Sequence, residues 1–149
     1  MKIYMDVYCL CRPFDDQRDR KIRLEAGAVL IILERCGRDW SLVGSDVIDL
    51  EISRIADMKR RQNIEKNLRF ITDYIDLDET IFNRALGFQK AGVRLFDALH
   101  LACAETGKTI FLTTDTKIIT AARTIPGLSI TVENPVHWLE EVSYHENHQ

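Results

Sequence analysis

The chain has 149 residues, a length that suits one compact domain and leaves little room for a second. Hydrophobic residues make up 46% and charged residues 29%, ordinary globular usage with enough apolar side chains for a sizeable core. The formal charge of -3 argues against a histone-like or tail-driven nucleic-acid binder, which would be strongly basic, but leaves room for a local basic stripe.

No membrane span is expected, because the longest apolar run, Ala26 to Leu33, is far too short. The N-terminus shows no basic leader ahead of an apolar stretch and a cleavage site, since Asp6 interrupts it early. Cys9, Cys11, Cys36 and Cys103 make no C-x-x-C pair, and nothing supplies the other half of a zinc site. Together these features lead us to expect a cytoplasmic protein with reduced thiols.

In chain order, Lys2 to Met5 reads as a strand ending at Asp6, followed by a loop containing Arg12, Pro13, Phe14, Asp15 and Asp16. Ile22, Ala26, Val29, Leu33 and Cys36 fall at helical spacing, which predicts a helix from about Gln17 to Cys36 with Gly37 at its C-terminal cap. Trp40 to Val43 reads as a strand, Gly44 and Ser45 as a turn, and Ser45 as the cap of a helix from Asp46 to the Lys59-Arg60-Arg61 region. A second helical stretch carries Ile64, Leu68 and Ile71, and Tyr74 to Leu77 is a weak strand. Asp78 caps a helix through Ala91, stopped by Gly92, and Leu95 to Thr106 forms the next, ended by Gly107. Thr109 to Thr113 is a strand, Asp115 opens a helix to about Thr124, Ser129 to Val132 is a last strand, and Pro135 to Glu141 a short helix. Residues 1–142 are read as the domain and Ser143 to Gln149 as a frayed tail.

Strands alternating with helices predict an α/β fold, a single-domain α/β/α sandwich with a central, mainly parallel sheet. Such sheets place ligands at the carboxyl ends of their strands. Four acids therefore stand out. Asp6 ends the first strand and Asp115 follows the strand at Thr109 to Thr113. Glu51 sits in an apolar stripe between Val47 and Ile55, and Asp97 between Val93 and Leu101 in a helix apolar on almost every side. Each has an ordinary structural reading: a cap for Asp115 or Asp97, an Asx turn for Asp6, an ion pair with Arg54 for Glu51. Brought to one sheet edge, however, the four would repel one another unless a cation sat among them. All-oxygen ligands favour Mg²⁺ or Mn²⁺ over Zn²⁺, and the matching chemistry is hydrolysis of a phosphodiester by a metal-activated water.

Four segments carry a family resemblance: Ile3-Tyr4-Met5-Asp6, Ser45 to Glu51-Ile52, Asp97 to Ala104, and Phe111-Leu112-Thr113-Thr114-Asp115. In order and spacing the chain resembles the PIN-domain family, and within it the VapC-type ribonuclease toxins, from Met1 to about Val142. The resemblance implies a Mg²⁺- or Mn²⁺-dependent endoribonuclease acting on single-stranded or structured RNA. It further implies a cognate antitoxin protein, a type II toxin–antitoxin pair and a homodimer. The family's acids fall on Asp6, Glu51, Asp97 and Asp115. Asp6 and Asp97 would be direct metal ligands, Glu51 a ligand or orienter of the metal's water, and Asp115 would act through water or at a second metal. Thr114 would support the metal site or simply start a helix. The sequence departs from the family in Val7, which stands where a hydroxyl or amide often follows the first acid.

Arg12, Arg94 and Thr114 are candidate RNA contacts, with pairing to Asp15 or Asp16 the alternative for Arg12. Arg54, Lys59, Arg60 and Arg61 read first as an exposed helical face, and His100 as a satisfied core histidine. A receiver domain would need an Asp at the end of a middle strand, and an aspartate-nucleophile phosphatase an Asp-x-Asp motif; neither is present. The alternative that remains is a catalytically inactive PIN-like interaction module. With the four acids set aside as a metal cradle, the remaining charges nearly balance, so the acidic sum is no objection to RNA.

Overall fold

The structure is a computed structural model and describes residues 1–148. Its centre is a five-stranded sheet in the order β3-β2-β1-β4-β5, with every neighbouring pair parallel. The strands are β1 (Lys2–Met5), β2 (Ser41–Ser45), β3 (Ile71–Ile75), β4 (Ile110–Leu112) and β5 (Val132–Glu133). The helices among the described residues are α1 (Val7–Cys11), α2 (Arg20–Cys36), α3 (Asp46–Ser53), α4 (Met58–Asn67), α5 (Glu79–Gln89), α6 (Leu95–Thr106), α7 (Thr116–Ala122) and α8 (Pro135–Asn147). The expected α/β fold is borne out, and the sheet is wholly rather than mainly parallel.

β1 is central because Ile3, Tyr4 and Met5 are all buried, as a strand covered on both faces requires. From it the chain builds outward through β2 and β3 on one side, then returns to add β4 and β5 on the other. That reversal makes a topological switch point between β1 and β4, where open parallel sheets bind ligands. α2 buries Ala26, Val29, Ile32, Leu33 and Cys36 and packs against α8, with Trp40 and Trp138 meeting edge to face at 5.0 Å. α5 packs against α6, which also touches α3. All four cysteines are buried and unbridged. No helix among the described residues is long and apolar enough to cross a membrane.

Several local expectations are corrected. The segment after Asp6 is not a loop: it forms α1 and a 3-10 turn at Arg12–Phe14, because Val7, Cys9, Leu10 and Cys11 are all buried and the Asp6 side chain caps the helix. The helix expected from Gln17 begins at Arg20, where Asp19 caps it through the Ile22 N–H. The single helix expected from Asp46 to Arg61 is two, since Asp57 caps a new start by accepting from the Arg60 N–H. Ile71 begins β3 instead of ending a helix, and β3 lies earlier than the strand expected at Tyr74 to Leu77. The last strand shifts from Ser129–Val132 to Val132–Glu133.

Gly44 lies inside β2, not in a turn, and a Cβ there would stand 2.6 Å from Ile71 Cδ1. β2 and β3 change register at Leu42/Val43, and glycine permits this close approach. The segment expected to fray from Ser143 is helical as far as Asn147, and Arg35 pairs with Glu146 at 2.9 Å.

Candidate active site at the carboxyl edge of the sheet

Asp6 follows β1 directly and is 1% exposed. Its Oδ1 accepts the Cys9 N–H at 3.0 Å, capping α1, and its Oδ2 accepts the Thr113 hydroxyl at 2.6 Å. Burial pushes its carboxyl up to about 6, against the opposing pull of the Thr113 bond, the nearby His100 and the Cys9 bond. Thr113 was not singled out from the sequence. It bridges two of the acids, because its Oγ1 also accepts the Asp115 N–H at 3.1 Å.

Glu51 lies near the end of α3, which leaves the carboxyl end of β2 through the Ser45 cap. Its carboxylate accepts from His100 Nε2, so the expected pairing with Arg54 is replaced by one with histidine. Arg54 instead lies over the Phe96 ring, 5.2 Å from its centroid. His100 is buried and bonded at both nitrogens, as the core reading anticipated.

Asp97 sits in the first turn of α6. That helix runs back along the sheet before β4, so its N-terminus lies at the carboxyl edge. Burial raises the Asp97 carboxyl first, and the charge of Asp115 adds to it, while His100 and Arg94 act in the opposite direction. Asp115 caps α7 by accepting the Lys117 N–H at 2.9 Å, so the capping role expected for it is real.

Glu51, Asp97 and Asp115 line one cavity of about 360 Å³, together with Tyr8, Arg54 and Arg94. A second cavity of about 200 Å³ shares Arg94, Asp97 and Asp115 and adds Lys117. Asp6 is not in either lining, but its carboxyl lies close enough to feel the charges of Glu51 and His100. Tyr8 and Lys117 were missed from the sequence. Tyr8 lay in what read as a loop, and a lysine in the first turn of a helix carries no distinguishing signal.

Two candidate contacts lie outside these cavities. Thr114 is buried two residues past the end of β4. Arg12 donates from Nε to Glu25 Oε1 and from Nη1 to Asp15 Oδ2, both at 2.9 Å. Glu25 is 1% exposed and also accepts from Asn134 Nδ2 at 2.7 Å, so Arg12 closes a buried polar network.

The donor set offers carboxylate oxygens only, the chemistry of a hard cation. Among the described residues, no group of three or more His, Cys, Asp and Glu side chains is placed so that it could hold a metal ion. Mg²⁺ does not demand such a cage, because it keeps several waters and is commonly held by one or two carboxylates together with substrate phosphates. In kind, then, the residues fit.

No family model matches the chain, and no curated protein matches it. Solved structures do. A toxin–antitoxin complex from Klebsiella pneumoniae aligns with a TM-score of 0.60 and 21% identity, over 89% of this chain and 97% of that one. VapBC2 from Rickettsia felis, bound to a promoter DNA fragment, gives 0.60 and 15% identity over 90% and 98%. FitAcB from Neisseria gonorrhoeae gives 0.57 and 19% over 91% and 99%. The chain has the fold of these proteins, and the resemblance to PIN-domain, VapC-like toxins holds at the level of the fold.

Proposed function

We propose that the chain is a Mg²⁺- or Mn²⁺-dependent endoribonuclease, the toxin of a type II toxin–antitoxin pair. On this reading it works in the cytoplasm as a homodimer, cleaves single-stranded or structured RNA, and is silenced by a cognate antitoxin protein. The observation that carries the reading is the convergence of Glu51, Asp97 and Asp115 on one cavity, with Asp6 buried close by, at the sheet's carboxyl edge. A fold shared with toxins of toxin–antitoxin complexes supports it.

Asp6 and Asp97 would hold the ion, with Glu51 as a further ligand or orienter of its water and Asp115 acting through water. The bound ion would lower the pKa of a water for attack on phosphorus and stabilise the leaving oxygen. The protein's own contribution is placement. His100 fixes the Glu51 carboxylate, and Thr113 fixes that of Asp6. Arg94 and Lys117 supply positive charge beside the acids, where a phosphate would enter.

Calorimetric titration of Mn²⁺ into the wild type and Asp97→Asn, with cleavage of single-stranded RNA measured in parallel, tests the reading. The wild type should bind and cleave, and Asp6→Asn and Asp97→Asn should lose cleavage and relieve growth inhibition on expression. A wild type that neither binds a divalent ion nor cuts RNA sinks it. That result would leave a PIN-like interaction module.

A further inference from the structure

The cavity that holds the three carboxylates has a second set of walls, which the chemistry of hydrolysis leaves unused. Tyr8 lies on α1, two residues beyond Asp6, and is 53% exposed while Val7, Cys9, Leu10 and Cys11 around it are buried. It is therefore held on a rigid, well-packed turn with its ring left in solvent. Its ring stands in the field of all four acids, which places it beside the site and not merely on the same face of the protein. Phe96 and Leu95, at the start of α6, line the same cavity. Arg54 lies over the Phe96 ring, with its guanidinium carbon 5.2 Å from the ring centroid, so a guanidinium and an aromatic ring adjoin there.

This combination has a specific complement. Carboxylates with a bound cation, and arginines beside them, suit a phosphodiester. Flat aromatic and guanidinium surfaces suit the π-face of a base, which all four bases offer and which duplexes hide. An isolated exposed tyrosine would need no explanation, but this one shares a cavity with Phe96, Arg54 and the acids.

We propose that Tyr8, with Phe96 and Arg54, forms a stacking subsite for an unpaired nucleobase next to the phosphate to be cut. The subsite takes its substrate class from the nuclease reading and adds a requirement of its own: the flanking nucleotide must be unstacked and must carry a base. Tyr8 acts by positioning the strand and takes no part in bond breaking.

The test uses the full chain and a short, labelled, single-stranded oligoribonucleotide of mixed sequence. Binding is followed by fluorescence anisotropy with Ca²⁺, and cleavage by steady-state kinetics with Mn²⁺. Tyr8→Leu should weaken binding and raise KM by roughly 5- to 150-fold, the range for loss of one stacked base, with kcat little changed. Tyr8→Phe should behave as wild type, and Phe96→Leu should follow Tyr8→Leu. On an oligonucleotide scanned with abasic sites, one position should erase the difference between wild type and Tyr8→Leu, which a merely structural role would not do. Equal binding by Tyr8→Leu and wild type overturns the subsite while leaving the nuclease reading intact. Loss in Tyr8→Phe equal to that in Tyr8→Leu overturns stacking in favour of the hydroxyl. A wild type that binds and responds to Tyr8→Leu but never cleaves keeps the subsite and overturns the nuclease. A wild type that does neither overturns both.

Discussion

The Tyr4 hydroxyl and His100 Nδ1 lie 2.6 Å apart in the core, joining β1 to α6. In the neutral form of His100, the Glu51 carboxylate facing Nε2 holds the ring proton there, and Nδ1 is left to accept from Tyr4. The Tyr4 oxygen can then accept from Ser45 Oγ at 2.8 Å. Four side chains from four elements thus form one directional chain, Ser45 to Tyr4 to His100 to Glu51, that ends on a candidate metal-site carboxylate. Burial raises the Tyr4 phenol well above its ordinary range, so it stays a donor.

Tyr4→Phe removes the hydroxyl that faces His100 Nδ1 and leaves that nitrogen buried without a partner. Stability should fall by roughly 1–3 kcal/mol, read from urea unfolding. Divalent-ion affinity or activity should fall about 10- to 100-fold, as when the outer partner of a ligand is lost. Unchanged metal affinity in a folded Tyr4→Phe would separate the chain from the site.

The raised Asp6 carboxyl makes a signed pH prediction. Its folded value of about 6 exceeds the ordinary 3.8, so the folded state holds this proton more tightly than the unfolded chain does. Its contribution to stability is therefore fully present at low pH and is lost as pH rises from about 4 through 6. A cation needs the carboxylate form, so apparent Mn²⁺ affinity should climb about tenfold per pH unit below 6 and level off above it. Thr113→Val removes a bond that favours the ionised form and should move this midpoint upward. Calorimetry across pH checks both statements, and affinity independent of pH between 5 and 7 would contradict them.

Arg12→Ala should act on folding. It strips the Nε donor from the buried Glu25 carboxylate, leaving Asn134 as its remaining partner. Removing one member of a buried pair costs on the order of 3 kcal/mol. A lowered Tm is expected, with RNA affinity of the folded fraction little changed. Weakened RNA binding without loss of Tm would instead return Arg12 to the phosphate-contact role.

Gly44→Ala tests the close approach of β2 to β3. The new Cβ would meet Ile71 Cδ1 at 2.6 Å, with Ile71 Cγ2 at 3.2 Å and Tyr74 Cδ2 at 3.3 Å behind it. Destabilisation of about 1–3 kcal/mol is expected from overpacking, measured by denaturant unfolding.

The sequence by itself determined the α/β class, the first strand ending at Asp6, the capping residues Ser45, Asp78 and Asp115, and the four acids worth watching. These are local properties: an apolar run, a turn residue, a carboxylate out of place in a hydrophobic stripe. Its failures were also local conflicts. Helical spacing ran on through Arg54 to Asp57 and through Ile71, but capping by Asp57 and pairing of Ile71 with Leu42 decided otherwise. Only the tertiary structure could decide which side chains meet across long separations. Thr113 reaches Asp6 over 107 positions, and His100, not Arg54, takes Glu51. It also turned Tyr8 from a loop residue into the wall of the acid cavity, because the burial of its neighbours in α1 holds that ring at the sheet edge. A parallel sheet gathers its strand ends from distant parts of the chain, so the composition of that edge is set by strand order, and strand order is not written in any one segment.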